Sequence, residues 1–281
     1  ALFAGITAVL AKEGIRTTDS TVATALRTVV VLAGAWGMVF IVGSQAELAH
    51  LDARSTGLLV LSGLATGASW LCYFKALQLG SVSKVVPIDK LSTVLTVLLA
   101  LIFLGERVSL IGALGVVLIA VGTLLMLDAD DLRGLPRAVR DGGGWLLYAL
   151  GSAFFAALTA ILGKAGITGV ESNLGTAIRT GVVLVMAWVM VAVTGKFREV
   201  RTVPRGELGF VLASGAATCA SWLCYYRALQ DGPASVVVPI DKLSVLVTVL
   251  FSALVLRETI GRRHLVGLAL LVGGVLVMLI R

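Results

Sequence analysis

The first half of this chain aligns with the second at a constant offset of 152 positions, without a gap, through nearly its whole length. Thr66-Gly67-Ala68-Ser69-Trp70-Leu71-Cys72-Tyr73 reappears as Thr218-Cys219-Ala220-Ser221-Trp222-Leu223-Cys224-Tyr225. Val86-Pro87-Ile88-Asp89-Lys90-Leu91-Ser92 reappears as Val238-Pro239-Ile240-Asp241-Lys242-Leu243-Ser244. Roughly 58 of about 129 aligned positions are identical, far beyond coincidence, so the fold must be built from two related halves. Hydrophobic residues make up 58% of the chain, charged residues only 14%, and mean hydropathy is +1.01. Such a chain cannot hide its apolar surface inside a water-soluble domain. Its charges gather between apolar runs of about 20 residues, the length that spans a hydrocarbon layer of roughly 30 Å.

Five apolar segments are predicted in each copy. They lie at about 1–13, 21–43, 56–79, 84–104 and 108–127, then at about 145–165, 173–195, 207–231, 235–256 and 263–280. The first is short: Lys12 arrives early, whereas its mate Lys164 follows an apolar lead from Trp145, which predicts further residues ahead of Ala1. A signal peptide is the rival reading of that segment, opposed by its match to a full span in copy two. Asp128 to Gly144 is polar and glycine-rich and reads as the linker. The expected fold class is an all-α integral membrane protein with ten transmembrane helices. Residues 1–129 form the first five-helix repeat, 130–144 the linker and 145–281 the second repeat. An odd number of spans per copy inverts the second copy relative to the first. Lysine and arginine crowd one side (Lys12, Arg16, Lys75, Lys84, Arg133, Arg137, Arg140, Lys196 and Arg198 among them), which predicts both termini outside. A multi-pass protein of the bacterial inner (plasma) membrane is expected. The net charge of +7 then reflects orientation, and without a basic-aromatic surface motif nucleic acid is not an expected partner.

Ionisable groups inside spans cost roughly 2.5–3.5 kcal/mol each on insertion scales and need a reason to be there. Asp89-Lys90 and Asp241-Lys242 fall near the start of the fourth and ninth segments, two residues after Pro87 and Pro239. Proline removes a backbone hydrogen bond and frees a carbonyl, and proline-interrupted segments at matching places of inverted halves point to a transport site. The alternative is that both aspartates favour the positive helix end while the lysines snorkel to headgroups. Ser92 and Thr96, with Ser244 and Thr248, continue a polar stripe from each aspartate. Ser62, Thr66, Ser69 and Tyr73 make a second stripe on one helix face, repeated by Ser214, Thr218, Ser221 and Tyr225. It reads as the lining of a wet cavity or as close helix packing. Trp70 and Trp222 lie three residues from the tyrosines and share that wall or face lipid. Arg27 and Arg179 could clamp a carboxylate or phosphate in a two-bond fork, or close a helix–loop contact. Glu106 and Glu258 read as structural, and Lys12 and Lys164 as orientation charges. Cys72, Cys219 and Cys224 lack CxxC spacing and read as small core residues. His50 and His264 have no ligand-spaced partner, so neither metal nor cofactor is expected.

Ala25-Leu26-Arg27, the stretch from Tyr73 to Gly80 and Leu104-Gly105-Glu106 together resemble the EamA-type half of the drug/metabolite transporter superfamily. The likeness covers nearly all of both copies, although in copy two the last motif becomes Leu256-Arg257-Glu258 and loses its glycine. The resemblance implies ten helices in two inverted halves, a central cavity lined by the first four helices of each half, and alternating access. Related nucleotide-sugar and triose-phosphate transporters place lysines on helices 4 and 9 against the anionic part of the substrate. Lys90 and Lys242 occupy comparable places, while the segment around them is not those families' motif. Many relatives keep both termini in the cytoplasm, opposite to the charge bias here.

The function expected is secondary active transport, in the export direction, of small polar metabolites such as amino acids or other organic anions and zwitterions. Lys90 and Lys242 would meet an anionic group. Asp89 and Asp241 would bind an ammonium or take up a proton, protons then being the coupling ion. Tyr73, Tyr225, Trp70 and Trp222 would shape the cavity, with Ser69, Ser221, Ser92, Ser244, Arg27 and Arg179 around it. Alternatives are efflux of lipophilic cations and a membrane packing protein that transports nothing. An enzyme is not expected, because the spans hold no histidine and no clustered acids.

Overall fold

A computed structural model describes residues 1–79, 88, 91–126, 144–254 and 261–279. Its elements, in order, are α1 (Leu2–Gly14), α2 (Ser20–Val42), a 3₁₀ turn (Ser44–His50), α3 (Ala53–Leu79), α4 (Ser92–Phe103), α5 (Leu110–Leu125), α6 (Gly144–Gly166), α7 (Ser172–Val193), α8 (Phe197–Val200), α9 (Arg205–Asp231), α10 (Ala234–Lys242), α11 (Ser244–Leu254) and α12 (Arg262–Leu279). There is no strand among the described residues. Among the described residues six helices are long and apolar enough to cross a bilayer: α2, residues 53–73 of α3, α6, α7, α9 and α12. Residues 2–11, α4 and α5 form shorter apolar helices. Large side chains point outward in the way lipid-facing residues must, with Leu110 93%, Val193 81% and Ile41 77% exposed.

The helix ends follow from local chemistry that the two copies share. Asp19 caps α2 by accepting from the N–H groups of Thr21 (2.8 Å) and Val22 (3.4 Å). Its mate Glu171 caps α7, accepting from Asn173 (2.9 Å) and Leu174 (3.0 Å). After each helix the chain turns through a glycine in the left-handed region, Gly43 at φ 80° and Gly195 at φ 70°. The ninth predicted segment, expected as one span, divides into α10 and α11 at Leu243. Pro239 has no N–H to return to the preceding turn, and the helix ends within one turn of it. The continuous helix described in the fourth predicted segment begins at Ser92, and of the predicted linker 130–144 residues 130–143 lie outside the described residues while Gly144 begins α6.

The chain divides into two compact units, each drawing on both sequence copies. The first holds residues 1–67, 162–232 and 244–255; the second holds 68–161, 233–243 and 256–281. Within the first unit, α1 packs on α9 and α11, and α2 packs on α7 and α9. Ala35 and Val39 of α2 meet Val170, Leu174 and Ala177 in one buried cluster. Lys164, expected as an orientation charge, donates to the carbonyls of Leu229 and Gly232 where α9 ends.

Within the second unit, α5 lies against its own repeat mate α12. A methyl group placed on Gly115 would stand 2.6 Å from the carbonyl oxygen of Gly274, and one on Gly122 would stand 2.5 Å from that of Gly267. Gly267 is the mate of Gly115 and Gly274 the mate of Gly122, so the contacts exchange under the repeat. The pairing runs antiparallel and is self-complementary, as a two-fold relation between the helices requires. Only glycine allows backbones this close. Val97, Ile119, Leu271, Val275 and Met278 form the apolar cluster beside the crossing. Glu106 is structural, as expected: its two carboxylate oxygens accept from the N–H groups of Ala234 (2.7 Å) and Ser235 (2.8 Å) and so cap α10 from another part of the chain.

Candidate functional site

Arg179, on α7, is 2% exposed and is the largest of the fully buried side chains among the described residues. Its Nη2 donates to Thr66 Oγ1 at 2.8 Å and its Nε to Ser62 Oγ at 3.4 Å, both on α3. The guanidinium lies over two rings of α9, its Cζ 4.8 Å from the Trp222 centroid and 4.5 Å from that of Tyr226. No carboxylate pairs with it among the described residues. The charge is met instead by two hydroxyl dipoles and two aromatic faces, each worth a fraction of an ion pair. Nη1 is buried without a hydrogen-bond partner.

Arg27 occupies the equivalent position on α2 in a different setting. It is half-buried and lines a cavity of about 140 Å³ together with Ser20, Thr24, Ser214 and the apolar Ala11 and Ile15. The residues equivalent to Ser62 and Thr66 are Ser214 and Thr218, and these turn to α1 instead. Ser214 Oγ donates to the Thr7 carbonyl at 3.3 Å, and Thr218 Oγ1 lies 3.4 Å from Thr7 Oγ1. Among the described residues Arg27 makes no hydrogen bond or ion pair. Glu13, Asp19 and Glu207, on or beside the helices that line this cavity, are committed elsewhere: Glu13 to Arg16 at 2.6 Å, Asp19 to Lys196, and Glu207 to Thr17 and Thr18.

The other expected site residues fall as follows. Asp89 and Lys90 lie outside the described residues, as does Glu258, and nothing is described of the side chains of Lys12 and Thr248. Asp241 and Lys242 are half-buried at the end of α10, in the second unit. Ser244 begins α11 in the first. Ser92 is buried, and its carbonyl accepts from Thr96 Oγ1 at 2.7 Å. Ser69 uses its hydroxyl on the Ser152 carbonyl at 3.0 Å, so this part of the stripe serves helix contact. Half-buried Tyr73 packs with Trp145 against Ala76, Ile88, Leu146 and Ala149, while Trp70 is half-buried. Ser221 is buried and Tyr225 half-buried on α9.

Of the expected residues, then, the structure brings together Arg179, Trp222, Ser62 and Thr66. It adds Tyr226, which sequence reasoning passed over in favour of Tyr225. Tyr226 is 2% exposed and meets Tyr225 edge-on at 5.2 Å. A signal was available, since Tyr226 lies four residues from Trp222 on the same helix face, but its mate is Phe74 and the repeat does not mark it. The cysteines are all free, yet only Cys219 is buried. Cys224 is exposed, contrary to its reading as a core residue, because its position on α9 turns away from the packed face.

This chain is 46% identical over 126 residues to a protein of Sinorhizobium sp described as "Uncharacterized transporter in cobO 3'region", a match covering 45% of this chain and 89% of that protein. It is 26% identical over 100 residues to an uncharacterized protein of Methanocaldococcus jannaschii, covering 32% of this chain and 73% of that one. Both relatives are therefore about as long as one copy of the repeat. A protein in a crystal structure superposes with a TM-score of 0.78 at 16% identity, over 99% of this chain and 94% of its own, which shows a shared fold. The EamA-like transporter family matches residues 1–128 and again 143–280, one domain for each copy. With both copies matched and several helices suited to a bilayer, this chain is a multi-pass membrane protein of the EamA-like transporter family.

Proposed function

We propose that this protein is a secondary active transporter of the bacterial inner membrane that exports small polar metabolites, amino acids or other organic anions and zwitterions, by alternating access. In this reading ten spans form two inverted five-helix repeats, residues 1–129 and 145–281, joined by 130–144. The observation that carries it is the unequal setting of two equivalent arginines: Arg179 is closed in by Ser62, Thr66, Trp222 and Tyr226, and Arg27 faces a cavity. A carrier built from inverted copies moves its access from one side to the other when the copies exchange conformations, so equivalent residues must differ within any one state. The self-complementary crossing of α5 and α12 supports the inversion.

Lys90 and Lys242 are assigned to the anionic group of the substrate, and Asp89 and Asp241 to an ammonium or to a coupling proton. Tyr73, Tyr225, Trp70 and Trp222 shape the path. Ser69, Ser221, Ser92 and Ser244 supply hydroxyls beside it. Efflux of lipophilic cations would want an unpaired carboxylate, whereas each candidate aspartate here has a lysine beside it in the sequence. The names of the family and of the Sinorhizobium relative indicate a transporter and not an enzyme.

The test is counterflow in proteoliposomes. Internal unlabelled amino acid should accelerate saturable entry of the labelled compound, which neither a pore nor a packing protein produces. Absence of counterflow across a panel of amino acids and organic acids would refute carrier function. Unchanged transport in the double variant Asp89→Asn with Asp241→Asn would remove the aspartates from it.

A further inference from the structure

We propose that the cavity beside Arg27 is a seat for a small free carboxylate. This deepens the transport reading and rests on it for biological meaning, though not for binding. A guanidinium that is half-buried and unpaired is costly unless an anion reaches it, and its planar fork matches the two oxygens of a carboxylate. Ser20, Thr24 and Arg27 stand at i, i+4 and i+7, one face of α2, and all three line the cavity. The Ser20 and Thr24 hydroxyls make no hydrogen bond among the described residues, whereas Ser214 already donates to the Thr7 carbonyl. Two free hydroxyl donors therefore flank one free guanidinium, with no competing acid on the wall.

Size narrows the ligand. The cavity of about 140 Å³ is roomy enough to hold several waters. It is well below the roughly 300–1,000 Å³ typical of drug-sized ligands. A small acid fits, acetate and glycine being the simplest. In the other copy the protein's own Ser62 and Thr66 bond the arginine and so take the place a carboxylate would fill beside Arg27.

The experiment uses the whole chain purified in a neutral detergent, with acetate, glycine, chloride and methylammonium titrated at constant ionic strength and followed by thermal midpoint and calorimetry. Acetate and glycine should bind saturably and raise the midpoint, and methylammonium should not. Arg27→Gln should abolish the effect. Arg27→Lys should weaken binding by about tenfold or more, because it keeps the charge and loses the fork. Thr24→Val, which leaves the arginine in place, should also weaken it and carries the test if Arg27→Gln does not fold. Wild-type affinity in these variants, or an equal response to chloride, would overturn the seat. So would a response to phosphatidylglycerol alone, which would assign the arginine to lipid phosphate. Arg27-dependent binding without counterflow would leave the seat standing and refute transport. Counterflow with binding indifferent to Arg27 would do the reverse.

Discussion

Arg179 donates to Thr66 Oγ1 at 2.8 Å across α7 and α3, while its repeat mate Arg27 makes no such bond to Thr218. Local sequence does not account for the difference, since Ala25-Leu26-Arg27-Thr28 and Ala177-Ile178-Arg179-Thr180 are nearly the same. Thr66→Val should therefore destabilise the protein by roughly 1–3 kcal/mol, the cost of removing an acceptor from a buried charged donor. Thr218→Val removes only a long contact to Thr7 and a bond to its own helix, and should cost clearly less. Unfolding of the two variants in mixed detergent, compared side by side, checks the order.

Gly122→Ala should disrupt the crossing of α5 and α12. The added methyl would lie 2.5 Å from the Gly267 carbonyl oxygen and 2.7 Å from the Leu271 nitrogen, both backbone atoms that cannot rotate away. A loss of roughly 1–3 kcal/mol is expected, the usual cost of overpacking. Gly37→Ala is the control, with nothing within 4 Å of the new methyl. It should be neutral or stabilise α2 by about 0.5–1 kcal/mol. Thermal midpoints of both variants decide the matter.

Glu106→Ala should fray the start of α10, because the N–H groups of Ala234 and Ser235 lose their shared acceptor. A cost of about 0.5–2 kcal/mol is expected, as for other caps. Glu106→Gln keeps one acceptor oxygen and should cost less. Hydrogen exchange at Ala234 and Ser235 should accelerate in both variants, and more in the alanine.

Asp19 lies ahead of α2, where burial raises its pKa but the Lys196 hydrogen bond and the Thr21 N–H outweigh it and hold the carboxyl below the usual 3.8. Its contribution to stability is complete above that ordinary value and is lost as pH falls through the depressed folded value. Asp19→Asn should lower the thermal midpoint near neutrality and flatten its fall at acid pH. A midpoint with the same acid slope in the variant would show that other groups govern it.

The membrane explains how much could be read without coordinates. Each span must satisfy its own backbone hydrogen bonds in lipid, whatever its neighbours do, so hydropathy alone located α2 to within one residue at each end. The same independence made the duplication visible and marked Arg27, Arg179, Trp222 and the serine–threonine face of α3 as worth explaining. Partner choice obeys no such local rule. Ser62 and Ser214 share a sequence context, yet one accepts from Arg179 and the other donates to Thr7. Tyr226 became part of the arginine's enclosure through contacts between α7 and α9 that no spacing within either helix encodes. The repeated sequence thus required two related halves. Their unlike arginines came from packing, because identical segments can rest against different neighbours when the energies of two arrangements lie close together.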